Sequence, residues 1–327
     1  MKAVLKKRKE LDTKLWDDCI AHSPQSLLFA YSWYLDLVAP DWWGVVVEHN
    51  GKYVWAMPFP IYDKMNFHFI KMPLFTPELG YFSALTNASS FLPEAIRLIK
   101  EYVPYCIEYI GNNGGDYPGF EWGQDLKIEL SKGYENNISR FSKTKRKNVR
   151  QSIKRNNTPV LDQNIEGFLH LFRQFTLPKI GVTDDQEIST LLRKILHILI
   201  EKKCLRIYSV YGENHKIEAS SIYIAHESRW QYFLNTADIK EKNKHGRLLI
   251  FSQFLKEKTE TQKPLHLGAY IQMPSSTSAY EHEVRKHFEQ LTNEKIKVPF
   301  TSWNNLPWYI NLPHQIKKII FKKVFKY

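Results

Sequence analysis

The sequence predicts an α/β (α+β) protein built from two similar domains, at residues 1–132 and 133–327. Its 327 residues suit two domains of ordinary size, and 43% of them are hydrophobic, which is enough for two cores. Both halves also show the same order of predicted elements: helices, then a β-hairpin, then a strand, a helix and a strand. We therefore expect each domain to be a mixed, mostly antiparallel sheet flanked by helices.

The first half shows helical spacing of apolar residues before and after a β-rich region. The predicted helices are at 11–22, 32–38 and 91–103. Two β-rich runs, 43–48 and 53–58, flank Asn50 and Gly51, a pair typical of two-residue hairpin turns. Further strands are predicted at 105–110 and 127–130.

The second half is richer in helices. They are predicted at 134–156 with a break near Ser142, at 165–175, 185–202 and 246–259, and from about 278 onward. The predicted strands are at 205–211, 217–226, 229–235 and 264–267. The first two of these strands form the second hairpin.

Composition limits the class of protein. No apolar run reaches 18 residues and the first residues lack the apolar stretch of a secretory signal, so we expect a cytoplasmic protein without a transmembrane segment. The three cysteines have no ligand spacing, which indicates neither a disulfide framework nor a metal site. Aromatic residues, at 14%, either line ligand grooves or fill cores.

The chain is strongly basic, with a net charge of +12. This favours a polyanionic partner: nucleic acid, a phosphorylated small molecule or an anionic membrane surface. Residues 138–155 concentrate the charge on one predicted helix. Its apolar positions, Ile138, Phe141, Val149 and Ile153, are predicted to face inward. Its basic surface either meets an anionic partner, which would offset the repulsion between like charges, or is simply solvated.

The basic helix carries a resemblance to a known family. Residues 145–154, KRKNVRQSIK, are similar to the helix S-x-x-x-R-R-N-I-R-K-A-x-K of FemAB-like acyltransferases of the GNAT superfamily. Shorter matches follow the order seen in such proteins, especially uncharacterised bacterial members: LFAYSWYLD at 28–36, EASSI at 218–222, YFLNTAD at 232–238, KHGRLLIF at 244–251 and LHLGA at 265–269. The resemblance implies tandem GNAT-like domains.

The resemblance also implies an activity, the transfer of an acyl group to an amine. The donor is often an aminoacyl-tRNA and in other GNAT proteins an acyl-CoA. The acceptor is a small-molecule or peptide amine, such as a cell-wall precursor or another cell-envelope metabolite. No tightly bound cofactor is implied. The alternative is a non-catalytic module of the same fold that binds RNA or a phosphorylated ligand.

Residues 244–247 match the position of the GNAT pyrophosphate loop. Gly246 would open a helix with free N–H groups, and Lys244 and Arg247 would add charge, together with Lys145, Arg146 and Arg150 on the basic helix. Gly246 is the only glycine of this turn, which favours the Fem-type donor over acetyl-CoA. The other interpretation is a helix start with solvent-facing basic residues.

Candidate catalytic residues follow from the chemistry of amine attack. Tyr280 or His282 could serve the leaving group, and Asn235 could polarise the carbonyl. The resemblance further implies that two neighbouring strands of the second half separate beside the helix that begins at Gly246.

The tail at 313–327 alternates basic and apolar residues at helical spacing. It is a candidate for peripheral contact with an anionic membrane. Docking on its own protein is the more common role of such a tail. The oligomeric state stays open.

Overall fold

The computed structural model describes residues 1–64, 67–112, 114–154, 158–181, 186–212, 215–238, 245–259, 261–268 and 279–306. Contacts divide them into two compact units, residues 1–123 with 297–306 and residues 124–296. The sequence predicts domains at 1–132 and 133–327, so the two divisions differ over 124–132 and 297–306. The basic tail at 313–327 lies outside the described residues.

The strands of the first unit belong to two sheets. Its strands are β1 (Ala3–Lys7), β2 (Trp43–His49), β3 (Lys52–Phe59), β4 (Ile61–Lys64), β5 (Phe67–Ile70), β6 (Phe82–Ser83) and β7 (Tyr105–Ile110). Its helices are α1 (Thr13–Ala21), α2 (Ser32–Val38) and α3 (Leu92–Tyr102). One sheet has the order β1-β2-β3-β6, and β4, β5 and β7 lie side by side in another, with β5 parallel to β7.

The predicted hairpin at 43–58 is confirmed. Asn50 and Gly51 both have positive φ, 51° and 71°, as a type I′ turn requires. The register runs from Trp43 opposite Phe59 to His49 opposite Lys52. The twist of a type I′ turn matches the right-handed twist of the paired strands. Asn-Gly favours this turn, so the dipeptide predicts the hairpin.

The aromatic residues of the first unit fill its core. Trp16 is fully buried, packs against Trp42 with ring centroids 4.7 Å apart and donates its indole N–H to the Ala30 carbonyl at 2.9 Å. A Cβ on Gly44 would lie 2.6 Å from the Trp16 ring, so the strand beneath this ring has to carry glycine. The sequence left two roles open for the aromatic residues, lining a ligand groove or filling a core, and these residues fill the core.

The second unit begins within β8 (Glu121–Ile128), which leads the chain out of the first. Its helices are α4 (Tyr134–Ser139), α5 (Lys143–Ile153), α6 (Ile165–Leu171), α7 (Gln186–Glu201), α8 (Gly246–Glu257) and α9 (Ala279–Glu289). Its other strands are β9 (Val160–Asp162), β10 (Leu205–Tyr211), β11 (Ile217–Ala225), β12 (Trp230–Ala237) and β13 (Leu265–His266). The chain then returns to the first unit through β14 (Lys295–Asn304), which pairs there with β7.

The second unit has one sheet, in the order β8-β13-β12-β11-β10-β9. Its pairs are antiparallel except for β12 with β13. The prediction of mixed, mostly antiparallel sheets is therefore confirmed. Helix α8 is buried at most of its positions and packs on one face of this sheet. None of the described helices has the length and apolar content needed to cross a bilayer.

The basic helix breaks where the sequence predicts. Ser142 caps α5 by accepting the Lys145 backbone N–H, which separates α4 from α5. The prediction that Ile153 faces inward is wrong, because this side chain is 53% exposed. Ile153 is the last residue of α5, one turn beyond Val149, which is buried.

Two tyrosines of the second core allow a matched test of hydroxyl burial. Tyr223 stacks on Phe254 at 3.8 Å, and its hydroxyl has no hydrogen-bond partner among the described residues. The Tyr208 hydroxyl, in contrast, donates to the Glu257 carboxylate.

We expect Tyr223→Phe to leave the free energy of unfolding unchanged or to raise it by up to about 1 kcal/mol, because an unsatisfied polar group is removed. Tyr208→Phe should lower it by about 1 kcal/mol, because a hydrogen bond is lost. Urea unfolding of both variants measures the difference. The opposite ranking would contradict this description of the core.

Candidate functional site

Strands β12 and β13 separate within the second unit. Among the described residues they pair at two positions, Trp230 with Leu265 and Gln231 with His266. Beyond Gln231, β12 continues to Ala237, paired on its other side with β11. The edge of β12 from 232 to 237 therefore has no strand partner in the part of the chain that the structure describes. We call this edge the open edge of β12.

Hydrogen bonds to β8 hold β13 away from the open edge. The Leu267 N–H donates to the Leu126 carbonyl at 2.9 Å. The Gly268 N–H donates to the Asp125 carboxylate, at 3.1 Å to one oxygen and 3.3 Å to the other. Asp125 is buried, so this charge-assisted contact fixes the path of the backbone.

A β-bulge lies at the start of the open edge. Ile222 of β11 is opposite Leu234, whereas the next residue, Tyr223, is opposite Tyr232, so Phe233 is the extra residue. The bulge reverses which faces the following side chains occupy. As a result Tyr232 and Asn235 both lie on the face covered by α8.

The open edge presents backbone N–H groups. The Asp238 N–H donates to the Glu218 carbonyl on β11. Since donors alternate between the two sides of an antiparallel strand, the N–H groups of Asn235 and Ala237 point away from β11. They point to the side of β12 on which the pairing with β13 has ended.

Helix α8 begins next to this edge. Its N-cap is His245, in the left-handed conformation with φ 58°, and Gly246 is its first residue. Arg247 donates to the side-chain carbonyl oxygen of Asn235 at 2.9 Å, which joins the first turn of α8 to β12. A helix start presents N–H groups without partners inside the helix and the positive end of its dipole.

Three side chains form what we call the cationic cluster: Lys145 on α5, Arg247 on α8 and His287 on α9. The Lys145 ammonium donates to His287 Nδ1 at 2.9 Å. Burial lowers the pKa of Lys145, and the charge of Arg247 lowers it further. Desolvation, together with the charges of Lys145 and Arg247, lowers the pKa of His287 to about 3. His287 is therefore neutral at pH 7, and the positive charge comes from Lys145 and Arg247.

A small pocket of about 20 Å³ lies between these elements. It is lined by Tyr232, Asn235, Arg247, Leu248, Phe251, His287, Phe288 and Leu291. Burial raises the pKa of the Tyr232 hydroxyl, and the charge of Arg247 opposes this effect. The volume suits about one water molecule, so a larger ligand would have to lie along the surface above it.

The structure brings some of the predicted site residues together. Asn235 and Arg247 line this pocket, Lys145 contacts His287 in its lining, and Gly246 begins the adjoining helix. Arg146 instead donates to the Ser139 carbonyl at 2.5 Å, and Arg150 is exposed on α5.

The other predicted residues are less defined. Lys244 lies outside the described residues. Tyr280 belongs to α9, but its side chain lies outside the described part of the structure. His282, also on α9, is exposed. Their roles stay predictions.

Sequence reasoning missed His287 and the bulge at Phe233. His287 is 142 residues from Lys145, so no local spacing connects the two. The bulge follows from the pairing of two strands and leaves no mark in the composition of either. Within the described residues, no three His, Cys, Asp or Glu side chains converge as metal ligands would.

Comparison with known proteins rests on structure alone. No protein-family model and no curated protein matches the sequence. The crystal structure of FemX is similar over 100% of both chains, with a TM-score of 0.66 and 10% identity.

Two further solved structures are similar over most of their length. The C-terminal domain of a putative lysylphosphatidylglycerol synthetase from Agrobacterium fabrum has a TM-score of 0.53 and 9% identity, covering 94% of this chain and 96% of that one. A conserved protein of unknown function from Bacteroides thetaiotaomicron has a TM-score of 0.52 and 13% identity, covering 90% and 97%. The chain thus has the fold of FemX, as its resemblance to FemAB-like proteins predicted.

Proposed function

We propose that this chain is an N-acyltransferase. It would move an acyl or aminoacyl group from a phosphate-bearing donor, an aminoacyl-tRNA or an acyl-CoA, to the amine of a small molecule or peptide. The acceptor could be a cell-wall precursor or another cell-envelope metabolite, in the cytoplasm. The observation that carries the proposal is the open edge of β12, with the start of α8 and the cationic cluster beside it.

The cationic cluster supports phosphate binding. Lys145 and Arg247 supply positive charge, and Arg247 sits in the first turn of α8, where the helix dipole adds to the attraction for an anion. His287 stays neutral and holds the Lys145 ammonium in place. The predicted contribution of Lys244, next in the chain to the N-cap, would add a further charge.

The open edge supports placement of the reacting carbonyl. The N–H groups of Asn235 and Ala237 point to the side where an extended acyl arm could lie as an additional strand. Hydrogen bonds from such fixed donors strengthen as the carbonyl oxygen gains charge in the transition state. Arg247 occupies the Asn235 side-chain oxygen, so the Asn235 amide N–H₂ faces away from it.

The chemistry is direct attack of the amine on the carbonyl carbon. The bond from this carbon to the donor's sulfur or ribose oxygen breaks, and the proton that the amine loses ends on that leaving group. Tyr280 and His282 remain the predicted donors of this proton. An acyl-cysteine intermediate is disfavoured, because burial raises the pKa of Cys19 to about 12 and of Cys204 to about 11, and raises that of Cys106 as well.

The structural relatives support an aminoacyl donor. The Agrobacterium domain belongs to a putative lysylphosphatidylglycerol synthetase, a name that denotes attachment of an amino acid. The single glycine at the start of α8 also favours such a donor over acetyl-CoA. The non-catalytic alternative, a module that binds RNA or a phosphorylated ligand, is favoured by the small volume of the pocket.

A transfer assay tests the proposal. The protein is incubated with a pool of aminoacyl-tRNAs or with acetyl-CoA, each with a mixture of amino acids, polyamines and peptides, and N-acylated products are identified by mass spectrometry. We expect an amide product with at least one donor. Donor binding without any product would favour the non-catalytic module, and absence of both would contradict either function.

Donor affinity tests the role of the cationic cluster. Arg247→Gln should raise the Kd for coenzyme A or for tRNA about tenfold or more, because a hydrogen bond to a charged group is worth about 1.5–3 kcal/mol. Titration calorimetry or filter binding at fixed salt gives the Kd. Arg97→Gln, on the exposed face of α3 in the first unit, removes the same charge from a helix that is not part of the site and should leave the Kd unchanged. Equal Kd values for both variants would remove Arg247 from the site.

A further inference from the structure

Gln231 lies where β12 and β13 separate. It is opposite His266 in the last described pair of these strands. Its neighbours Trp230 and Tyr232 belong to the core beneath α8. Because side chains alternate along a strand, Gln231 lies on the other face of the sheet, away from the cationic cluster.

The amide of Gln231 is buried without being satisfied. The residue is 4% exposed, and its Oε1 has no hydrogen-bond partner among the described residues. Its Nε2 donates to the Tyr232 carbonyl at 3.3 Å, a long contact. A buried acceptor without a partner destabilises a fold, so such an atom needs an explanation, and a bound ligand would supply one.

The backbone beside Gln231 is shaped to admit this amide. Gly268 has φ 50°, and a Cβ built on it would lie 2.1 Å from Gln231 Nε2 and 3.5 Å from Oε1. The hydrogen bond from the Gly268 N–H to Asp125 fixes that backbone. The glycine thus leaves room for a polar side chain at the base of the opening between the strands.

We propose that Gln231 Oε1 accepts an N–H from the acceptor amine and so selects amines as the nucleophile. This inference rests on the proposed function. It assigns the two faces of the sheet different substrates: the donor's phosphate lies on the α8 face, and the amine arrives from the other. A carbonyl oxygen can accept an N–H but offers nothing to an anion, which matches this division.

The role is one of orientation. The amine nitrogen uses its lone pair to attack the carbonyl carbon while one of its N–H groups is held by Oε1. The C–S or C–O bond of the donor breaks, and the displaced proton goes to the sulfur or oxygen that leaves. Gln231 takes no proton at any point.

Gln231→Met tests the assignment, with Gln253→Met as its control. Gln253 lies on α8, and its amide N–H₂ donates to Glu257, so its replacement removes a satisfied glutamine of the same unit. The first readout is the thermal midpoint without ligand. Gln231→Met should leave the thermal midpoint unchanged or raise it by a few degrees, because the unsatisfied amide is gone. A fall of several degrees would show that the amide is structural and would overturn the inference.

The second readout uses glycinamide as the probe amine. At a saturating concentration of the donor that supports transfer, Gln231→Met should raise the KM for glycinamide at least fivefold while the donor Kd stays unchanged. Gln253→Met should change neither. An unchanged KM for glycinamide, or an equal loss of donor affinity, would overturn the inference.

The role of Gln231 can be tested even if the protein shows no transferase activity. If the wild-type protein forms no amide with any donor, the proposed function fails by that result alone. Binding of glycinamide to the wild-type protein, followed by NMR titration, then decides the role of Gln231. Binding that is lost in Gln231→Met supports the assignment, and binding that is absent or equal in both proteins overturns it.

Discussion

The site depends on where the backbone N–H groups at the end of β13 form their hydrogen bonds. Leu267 and Gly268 donate to β8 instead of β12. Because the end of β13 bonds to β8, the open edge of β12 keeps backbone N–H donors that a folded protein normally pairs. The buried Asp125 carboxylate is the strongest part of the arrangement, because it accepts from Gly268 in a region shielded from water.

The charges of the second unit are arranged around that opening. Lys145 and Arg247 come from different helices and would repel each other, so the free protein holds an electrostatic cost that an anion relieves. His287 contacts Lys145, and the low pKa that desolvation and these two charges give it keeps it from adding a third charge near neutral pH. The bulge at Phe233 turns Asn235 toward this cluster, which connects the backbone geometry of β12 with the electrostatics.

The sequence predicts those features that depend on local pattern. The bounds of α2, β7 and β10 agree with the predicted ranges. Helix α2 buries Tyr34, Leu35 and Val38 at helical spacing, whereas β10 is buried at most of its positions on both faces. Strands such as β1 and β14 were missed. β1 has five residues, two of them lysine, and β14 pairs Phe300 with Ile110, far away in the chain.

The same limit applies to the site. Asn235 and Arg247 lie 12 residues apart, and the sequence predicts a role for each, Arg247 from the family resemblance and Asn235 from the chemistry of amine attack. His287 reaches Lys145 from 142 residues away, and Gln231 becomes notable only through the burial of an unsatisfied oxygen. Such properties arise from packing between distant segments, so a periodicity in one segment cannot reveal them.

Amide hydrogen exchange along β12 tests the separation of the strands most directly. The alternation of donors predicts slow exchange at Leu234 and Thr236, whose N–H groups point to β11, and fast exchange at Asn235 and Ala237 on the open edge. Addition of the donor should slow the second pair. Equally slow exchange at all four amides in the free protein would show a closed sheet and contradict the account.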